Sequence, residues 1–152
     1  MLPETSPAAV FAAVFATLFV AHQVADHWIQ TDHQARTKGA PGRPGRLACA
    51  AHVASYTAAA VVALDAVHVA LHLPLHPWHV AAGLAISAVI HYVADRRTPL
   101  TALASLAGLD RFMALGKPRP GHDDNPCIGT GAYALDQSLH YLFLFVAALV
   151  IA

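Results

Sequence analysis

Four apolar runs, each about long enough to cross a lipid bilayer, dominate the sequence. They cover approximately residues 8–29, 47–71, 78–95 and 132–152. A membrane-spanning helix needs about 20 mostly apolar residues, with a range of about 17–25. The strict alternation of polar and apolar residues that is typical of strands is absent from these runs. The sequence therefore predicts an all-α integral membrane protein built as a four-helix bundle.

The charge content agrees with a membrane protein and excludes one class of partner. Asp, Glu, Lys and Arg make up 12% of the chain, and 57% of its residues are hydrophobic. Soluble domains carry about 25% charged residues. Nine basic and nine acidic residues cancel. Nucleic-acid-binding proteins present a basic face, so we expect membrane lipid rather than nucleic acid to surround this protein.

The basic residues predict an orientation in the membrane. All nine fall within two connections, residues 36–46 and 96–131. Loops rich in Lys and Arg stay on the cytoplasmic side of a membrane, and these two connections alternate with loops that have no basic residue. We therefore expect a single transmembrane domain over residues 1–152 in the cell (cytoplasmic) membrane, with both termini outside. The first residues lack the basic stretch of a cleaved signal peptide.

The second basic connection is too long to be a simple turn. Leucine and other apolar residues recur at near-helical spacing between Thr98 and Leu115. This pattern predicts a short amphipathic helix that lies on the cytoplasmic membrane surface before the last span. Residues 117–131, rich in Pro and Gly, are expected to form an irregular lid.

Ionisable residues inside the spans follow a common pattern. Buried charges are costly in a membrane, so each is a candidate functional residue. Three spans carry one His and one Asp four residues apart, which places the two side chains on one helix face. Given the predicted orientation, each Asp lies nearer the cytoplasm and each His lies one turn deeper. The pairs are His22–Asp26, His91–Asp95 and Asp136–His140; His52 adds a fourth imidazole, and Gln30, Tyr56 and Gln137 are supporting polar residues.

Imidazoles and carboxylates together are the ligands of catalytic divalent metals, with zinc expected first and manganese or iron as alternatives. The leading hypothesis is a metal-dependent hydrolase at the inner leaflet, acting on a lipid-headgroup ester or a membrane peptide. The carboxylates would serve as ligands, as orienting groups or as the base that activates a metal-bound water. The expected metal ligands are His22, His91 and His140, with His52 as the fourth candidate, and the expected catalytic carboxylates are Asp26, Asp95 and Asp136.

Two other functions and a structural interpretation remain open at this point. A proton or divalent-metal transporter, or a channel component, would need a polar route across the bilayer, but residues 57–64 and 81–90 are almost wholly apolar. A non-catalytic membrane accessory protein would use the His and Asp residues only as a polar network that fixes helix packing. Neither the oligomeric state nor a role for the outer polar residues is fixed by the sequence; those residues are Asp65, His68, His72, His76 and His79.

Three short motifs resemble those of a known family. They are His-x3-Asp-x3-Gln at residues 22–30, His-x3-Asp-Arg at residues 91–96, and Asp-Gln-x2-His at residues 136–140. In their order and spacing they resemble the small bacterial membrane proteins of the domain of unknown function 3307 family, over nearly the whole chain. The resemblance implies an integral membrane protein and assigns no activity. The style of the motifs is also similar to that of bacterial membrane-bound metal-dependent hydrolases, an analogy that does not establish function.

Overall fold

The computed structural model describes residues 6–121 and 129–152, and within those residues the protein is helical with no strand. Four long helices pack together and short helices precede the last of them, which confirms the predicted all-α fold. A π-helical turn, Ala25–Ile29, continues the first helix. The helices are α1 (Pro7–Val24), α2 (Asp32–Thr37), α3 (Gly42–Leu71), α4 (Pro77–Asp95), α5 (Thr98–Leu106), α6 (Asp110–Met113) and α7 (Gly131–Ile151).

The four long helices form a ring in which each packs against two neighbours. Helix α1 packs against α3 and α7, and helix α4 packs against the same two helices. Successive long helices run in opposite directions, so every neighbouring pair is antiparallel, as in an up-down-up-down bundle. Away from the His and Asp residues the centre of the bundle is apolar; its core includes Val14, Leu18, Ala60, Leu144 and Ala147.

Helices α4 and α7 approach each other closely at Gly83. A Cβ atom at this position would lie 2.8 Å from the carbonyl oxygen of Ala147 and would also collide with the side chain of Ile151. Small residues at such contacts let two membrane helices come near enough to pack without a hydrophobic driving force between them. Gly83 therefore fixes the spacing between the two helices that carry His91 and His140.

The outer surface of the bundle is suited to lipid. Large apolar side chains point outward on every long helix, and Val20, Val62, Val89 and Leu149 are each more than half exposed. Patches of this kind on a protein surface mark contact with a membrane or another protein. All four long helices are long and apolar enough to span a membrane, as a multi-pass membrane protein requires.

The connections are more helical than the sequence suggested. Helix α3 begins at Gly42 and includes Pro44 in its first turn, where the missing N–H of proline costs no hydrogen bond. The amphipathic segment expected over residues 98–115 is divided into α5 and α6, because Gly108 between them has a left-handed backbone (φ 72°) that ends a helix. Of the expected lid, residues 122–128 lie outside the described residues.

Candidate metal centre

The structure brings the four predicted histidines together from four different helices. His22, His52, His91 and His140 are all buried, with at most 4% of each residue exposed. The ring centres of His91 and His140 are 4.4 Å apart, and those of His22 and His140 are 5.0 Å apart. The rings of His52 and His91 are also 5.0 Å apart. Side chains that lie far apart in the sequence therefore form one continuous imidazole cluster.

Two carboxylates lie against the pair formed by His52 and His91. The Nε2 atoms of the two rings are 3.0 Å apart. Oδ2 of Asp95 lies 3.4 Å from Nε2 of His52 and 3.3 Å from Nε2 of His91. Oδ1 of Asp26 approaches the same two nitrogens at 3.3 and 3.6 Å. The two histidine nitrogens therefore form one triangle of potential ligand atoms with Oδ2 of Asp95 and a second triangle with Oδ1 of Asp26.

The sides of these triangles have the length expected between ligands of one small metal ion. Metal–ligand bonds of about 2.0–2.1 Å in a tetrahedral zinc site place neighbouring ligand atoms about 3.3–3.4 Å apart. The His52, His91 and Asp95 atoms are separated by 3.0–3.4 Å, so they match one face of such a tetrahedron. Three protein ligands with a fourth position left for water are typical of catalytic zinc sites.

Asp136 and His140 extend the cluster toward the short helices. A ligand atom from each lies within 4.8 Å of a ligand atom of Asp95. The Nδ1 atom of His140 is 2.8 Å from the backbone carbonyl of Asp136, and this contact requires Nδ1 to donate its proton. The neutral ring then presents a lone pair on Nε2, the form in which histidine binds metals.

The cluster leaves an unusual number of buried polar atoms without a hydrogen-bond partner. Buried polar atoms in proteins are nearly always hydrogen-bonded. In residues 6–121 and 129–152, eight buried side-chain nitrogen or oxygen atoms have no hydrogen-bond partner, and all eight belong to residues that the sequence placed at the site. They are Nδ1 and Nε2 of His22, Oδ1 of Asp26, Nε2 of Gln30, Nδ1 of His52, Oδ2 of Asp95, Oε1 of Gln137 and Nε2 of His140.

A π-helical turn places Asp26 in the cluster. The turn Ala25–Ile29 follows α1 directly, and the Gln30 N–H bonds back to the Ala25 carbonyl. Such turns are rare and occur most often at functional sites. Here the carboxylate of Asp26 is within 3.6 Å of nitrogens from three histidines, because His22 Nδ1 also lies 3.5 Å from Oδ1.

Lys38 is a member of the site that the sequence interpretation missed. Its Nζ atom lies 2.8 Å from Oδ1 of Asp95, and its side chain is only 13% exposed. The two oxygens of Asp95 thus have different neighbours, with Lys38 on one side and the histidines on the other. The sequence signal was weak, since Lys38 is one basic residue among several in a connection that the charge pattern explains as cytoplasmic.

Arg96 holds the backbone that carries Lys38. Its guanidinium donates to the carbonyl oxygens of Lys38 and Ala40. Planar guanidinium groups suit two simultaneous acceptors, whereas the ammonium of lysine acts as a point charge. In the motif His-x3-Asp-Arg, the candidate ligand pair His91 and Asp95 is therefore followed directly by Arg96, which holds the adjacent connection in place.

We expect Arg96→Lys to loosen this connection. The lysine side chain cannot bridge both carbonyls, so trypsin should cut the Lys38–Gly39 bond of the detergent-solubilised protein several-fold faster than in the wild type. Arg43→Lys, at an exposed position of α3 and followed by Pro44, changes no trypsin site and serves as the control. Equal cleavage rates in both variants would contradict the anchoring role of Arg96.

The supporting polar residues have different surroundings. The hydroxyl of Tyr56 lies 2.5 Å from that of Ser87, a buried residue that the sequence interpretation missed because a single serine in an apolar helix carries no pattern. Gln137 donates to Oδ2 of Asp136 at 3.3 Å. Gln30 stands at the end of the π-helical turn, and its Nε2 atom is one of the unpaired atoms.

The outer polar residues do not form a second site of this kind. Among the described residues, the groups of ligand atoms close enough to share a metal contain none of them. The His68 ring bonds to the carbonyl of Leu73 at 2.7 Å, and His76 and His79 have ring centres 5.1 Å apart. Their placement fits a polar region at the opposite end of the bundle.

Comparison with known proteins identifies the family and no activity. The family described as protein of unknown function (DUF3307) matches residues 14–152. The chain belongs to this family. No curated protein and no solved structure is significantly similar to it. The family match confirms the resemblance drawn from the three motifs.

Proposed function

We propose that the protein is a metal-dependent hydrolase with its His/Asp centre in the cytoplasmic half of the membrane. The observation that carries this proposal is the set of eight buried atoms without a hydrogen-bond partner, all on residues of the site. Leaving a polar group buried and unpaired costs free energy, and an unpaired charge costs more. A divalent cation bound between these lone pairs would offset that cost.

A purely structural network explains the same residues less well. Polar networks that fix helix packing stabilise a fold when every member is hydrogen-bonded, and partial satisfaction is worse than an apolar core. Here three imidazoles each retain a nitrogen without a hydrogen-bond partner. Oδ1 of Asp26 and Oδ2 of Asp95 approach histidine nitrogens only at 3.3–3.6 Å, longer than a charge-assisted hydrogen bond. The arrangement is therefore better suited to a ligand than to packing alone.

The residues divide into ligands and a base. His52, His91 and Asp95 would be the ligands. Asp26, with His22 beside it, lies against the same two histidines and would orient them. A bound divalent metal lowers the pKa of its water, so that hydroxide is available at neutral pH. Asp136 would be the base, because it lines the same cavity as Asp95 and has a carboxylate oxygen within 4.8 Å of one on Asp95. Zinc is the first candidate, with manganese or iron as alternatives.

A cavity supports access of a substrate to this centre. It has a volume of about 380 Å³, and both Asp95 and Asp136 line it. The cavity lies at the end of the bundle where the two basic connections meet, as the bonds from Arg96 to residues 38 and 40 show. Under the positive-inside rule that end would face the cytoplasm, which supports a reaction at the inner leaflet.

The opposite half of the bundle supports a hydrolase over a transporter. Beyond the Tyr56–Ser87 bond, the described core toward the other end consists of apolar side chains, among them Ala60, Leu64 and Leu84. A proton or metal pathway requires a continuous polar or hydrated route through the membrane. A site open at one end and closed by apolar packing at the other suits chemistry at one membrane face.

Turnover of a substrate panel tests the proposal. The detergent-purified protein is stripped of metal, reloaded with Zn²⁺, Mn²⁺ or Fe²⁺, and offered carboxylic esters, phosphate esters and peptides. We expect metal-dependent hydrolysis of one class, reduced about 10²–10⁴-fold in Asp136→Asn through loss of the base. Asp65→Asn, exposed at the other end, should retain wild-type activity. Hydrolysis of no class with any metal would contradict the proposal.

A further inference from the structure

The cavity beside the metal centre has a positively charged wall. Lys38, Arg97 and Lys117 line it together with the two carboxylates Asp95 and Asp136. Asp95 is already paired with Lys38 at 2.8 Å. A divalent metal held by the carboxylates would add two further positive charges, so the loaded cavity attracts an anion.

The geometry of the charges favours an anion with several oxygens. Arg97 is on the connection between α4 and α5, and Lys117 follows α6, so the two cations approach the cavity from different segments. A guanidinium and an ammonium beside a metal ion are the groups that bind phosphoryl oxygens in many phosphoryl-transfer sites. A phosphate ester in this cavity would lie among Arg97, Lys117 and the two carboxylates that line it.

A second cavity provides a place for an apolar group. It has a volume of about 240 Å³ and is lined largely by leucine and alanine from α5 and α7. Leu100 lines both this cavity and the charged one. On α5 itself, Leu103 and Leu106 are 50% and 87% exposed, as expected for a helix that lies at a membrane surface.

We propose that the charged cavity binds the phosphate ester of a membrane lipid. In this complex Arg97 and Lys117 contact the phosphate, and the apolar cavity beside Leu100 holds the acyl chains. This inference rests on the proposed hydrolase and names its substrate class. In the reaction, a water oxygen forms a bond to phosphorus while the bond from phosphorus to the ester oxygen breaks. Asp136 takes one proton from the attacking water and the other stays on the released phosphate. The departing alkoxide takes a proton from water on the cytoplasmic side and leaves as an alcohol, and Asp136 returns its proton to the same solvent.

Lipid binding is tested by native mass spectrometry on the metal-loaded protein. The probes are phosphatidic acid, diacylglycerol with the same acyl chains, and water-soluble glycerol 3-phosphate. We expect the wild type to retain phosphatidic acid at least tenfold more than diacylglycerol. Arg97→Gln/Lys117→Gln should lower that retention at least tenfold with unchanged metal content, whereas Arg43→Gln, exposed and outside the cavity, should leave it unchanged.

The outcomes separate this inference from the proposed function. Equal retention of phosphatidic acid and diacylglycerol, or no effect of the double variant, overturns the phosphate site. Displacement of phosphatidic acid by equimolar glycerol 3-phosphate overturns the lipid assignment. Metal-dependent hydrolysis of carboxylic esters or peptides alone leaves the hydrolase standing and overturns the substrate class. A protein that binds no metal and hydrolyses nothing overturns the hydrolase itself.

Discussion

Replacing Asp95 with asparagine is expected to remove metal binding and hydrolysis together. Asp95 lies against His52 and His91 through one oxygen and against Lys38 through the other. Asparagine keeps the shape but loses the charge, and even orienting residues outside the ligand set change metal affinity about 10–100-fold. We expect metal affinity to fall by more than about 100-fold and turnover to fall to the background rate. Calorimetric metal titration and the hydrolysis assay measure the two effects.

The same substitution leaves Lys38 without its buried partner, which by itself destabilises a fold. The double variant Lys38→Gln/Asp95→Asn removes both charges and should recover thermal stability while metal binding stays lost. Asp110→Asn changes an exposed carboxylate at the same end of the protein and should behave as the wild type. A folded Asp95→Asn protein with wild-type metal affinity would contradict the assigned role.

Divalent metal is expected to stabilise the wild-type protein substantially. A ligand that binds only the folded state adds about 2.7 kcal/mol at a free concentration of 100 times its Kd. For a chain of this size the corresponding rise in Tm is about 5–10 °C. We expect this rise when Zn²⁺ is added to the stripped protein, measured by thermal unfolding in detergent, and its reversal by a chelator.

Two histidine variants separate the site from adventitious binding. His91 contacts His52, Asp26 and Asp95, so His91→Gln should abolish the metal-induced rise in Tm. His79 is exposed at the other end of the bundle, so His79→Gln should keep the full rise. The same rise in all three proteins would place the stabilising metal elsewhere.

The helices and the paired residues could be predicted because they depend on local patterns. Apolar runs of spanning length gave the four long helices, and the spacing of four residues placed His91 with Asp95 and His140 with Asp136 on common faces. Convergence of these faces in one cluster followed from the alternating direction of the spans. The outward faces could be anticipated in the same way, because a bundle in lipid exposes its apolar residues.

The remaining parts of the site depend on tertiary contacts that no local pattern encodes. Lys38 reaches Asp95 from a connection whose carbonyl oxygens Arg96 binds. The π-helical turn at Asp26 shifts the helical register, which regular 3.6-residue spacing cannot anticipate. The hydroxyl of Ser87 meets Tyr56 across two helices whose relative rotation is set by packing.

Metal content most directly tests whether the His/Asp cluster binds a metal ion. The wild-type protein is purified without chelators, with an affinity tag that contains no histidine, and is analysed by inductively coupled plasma mass spectrometry beside His91→Gln. We expect at least about one divalent metal ion per wild-type chain and a background level in the variant. Less than about one ion per ten wild-type chains, in protein that is folded, would contradict it.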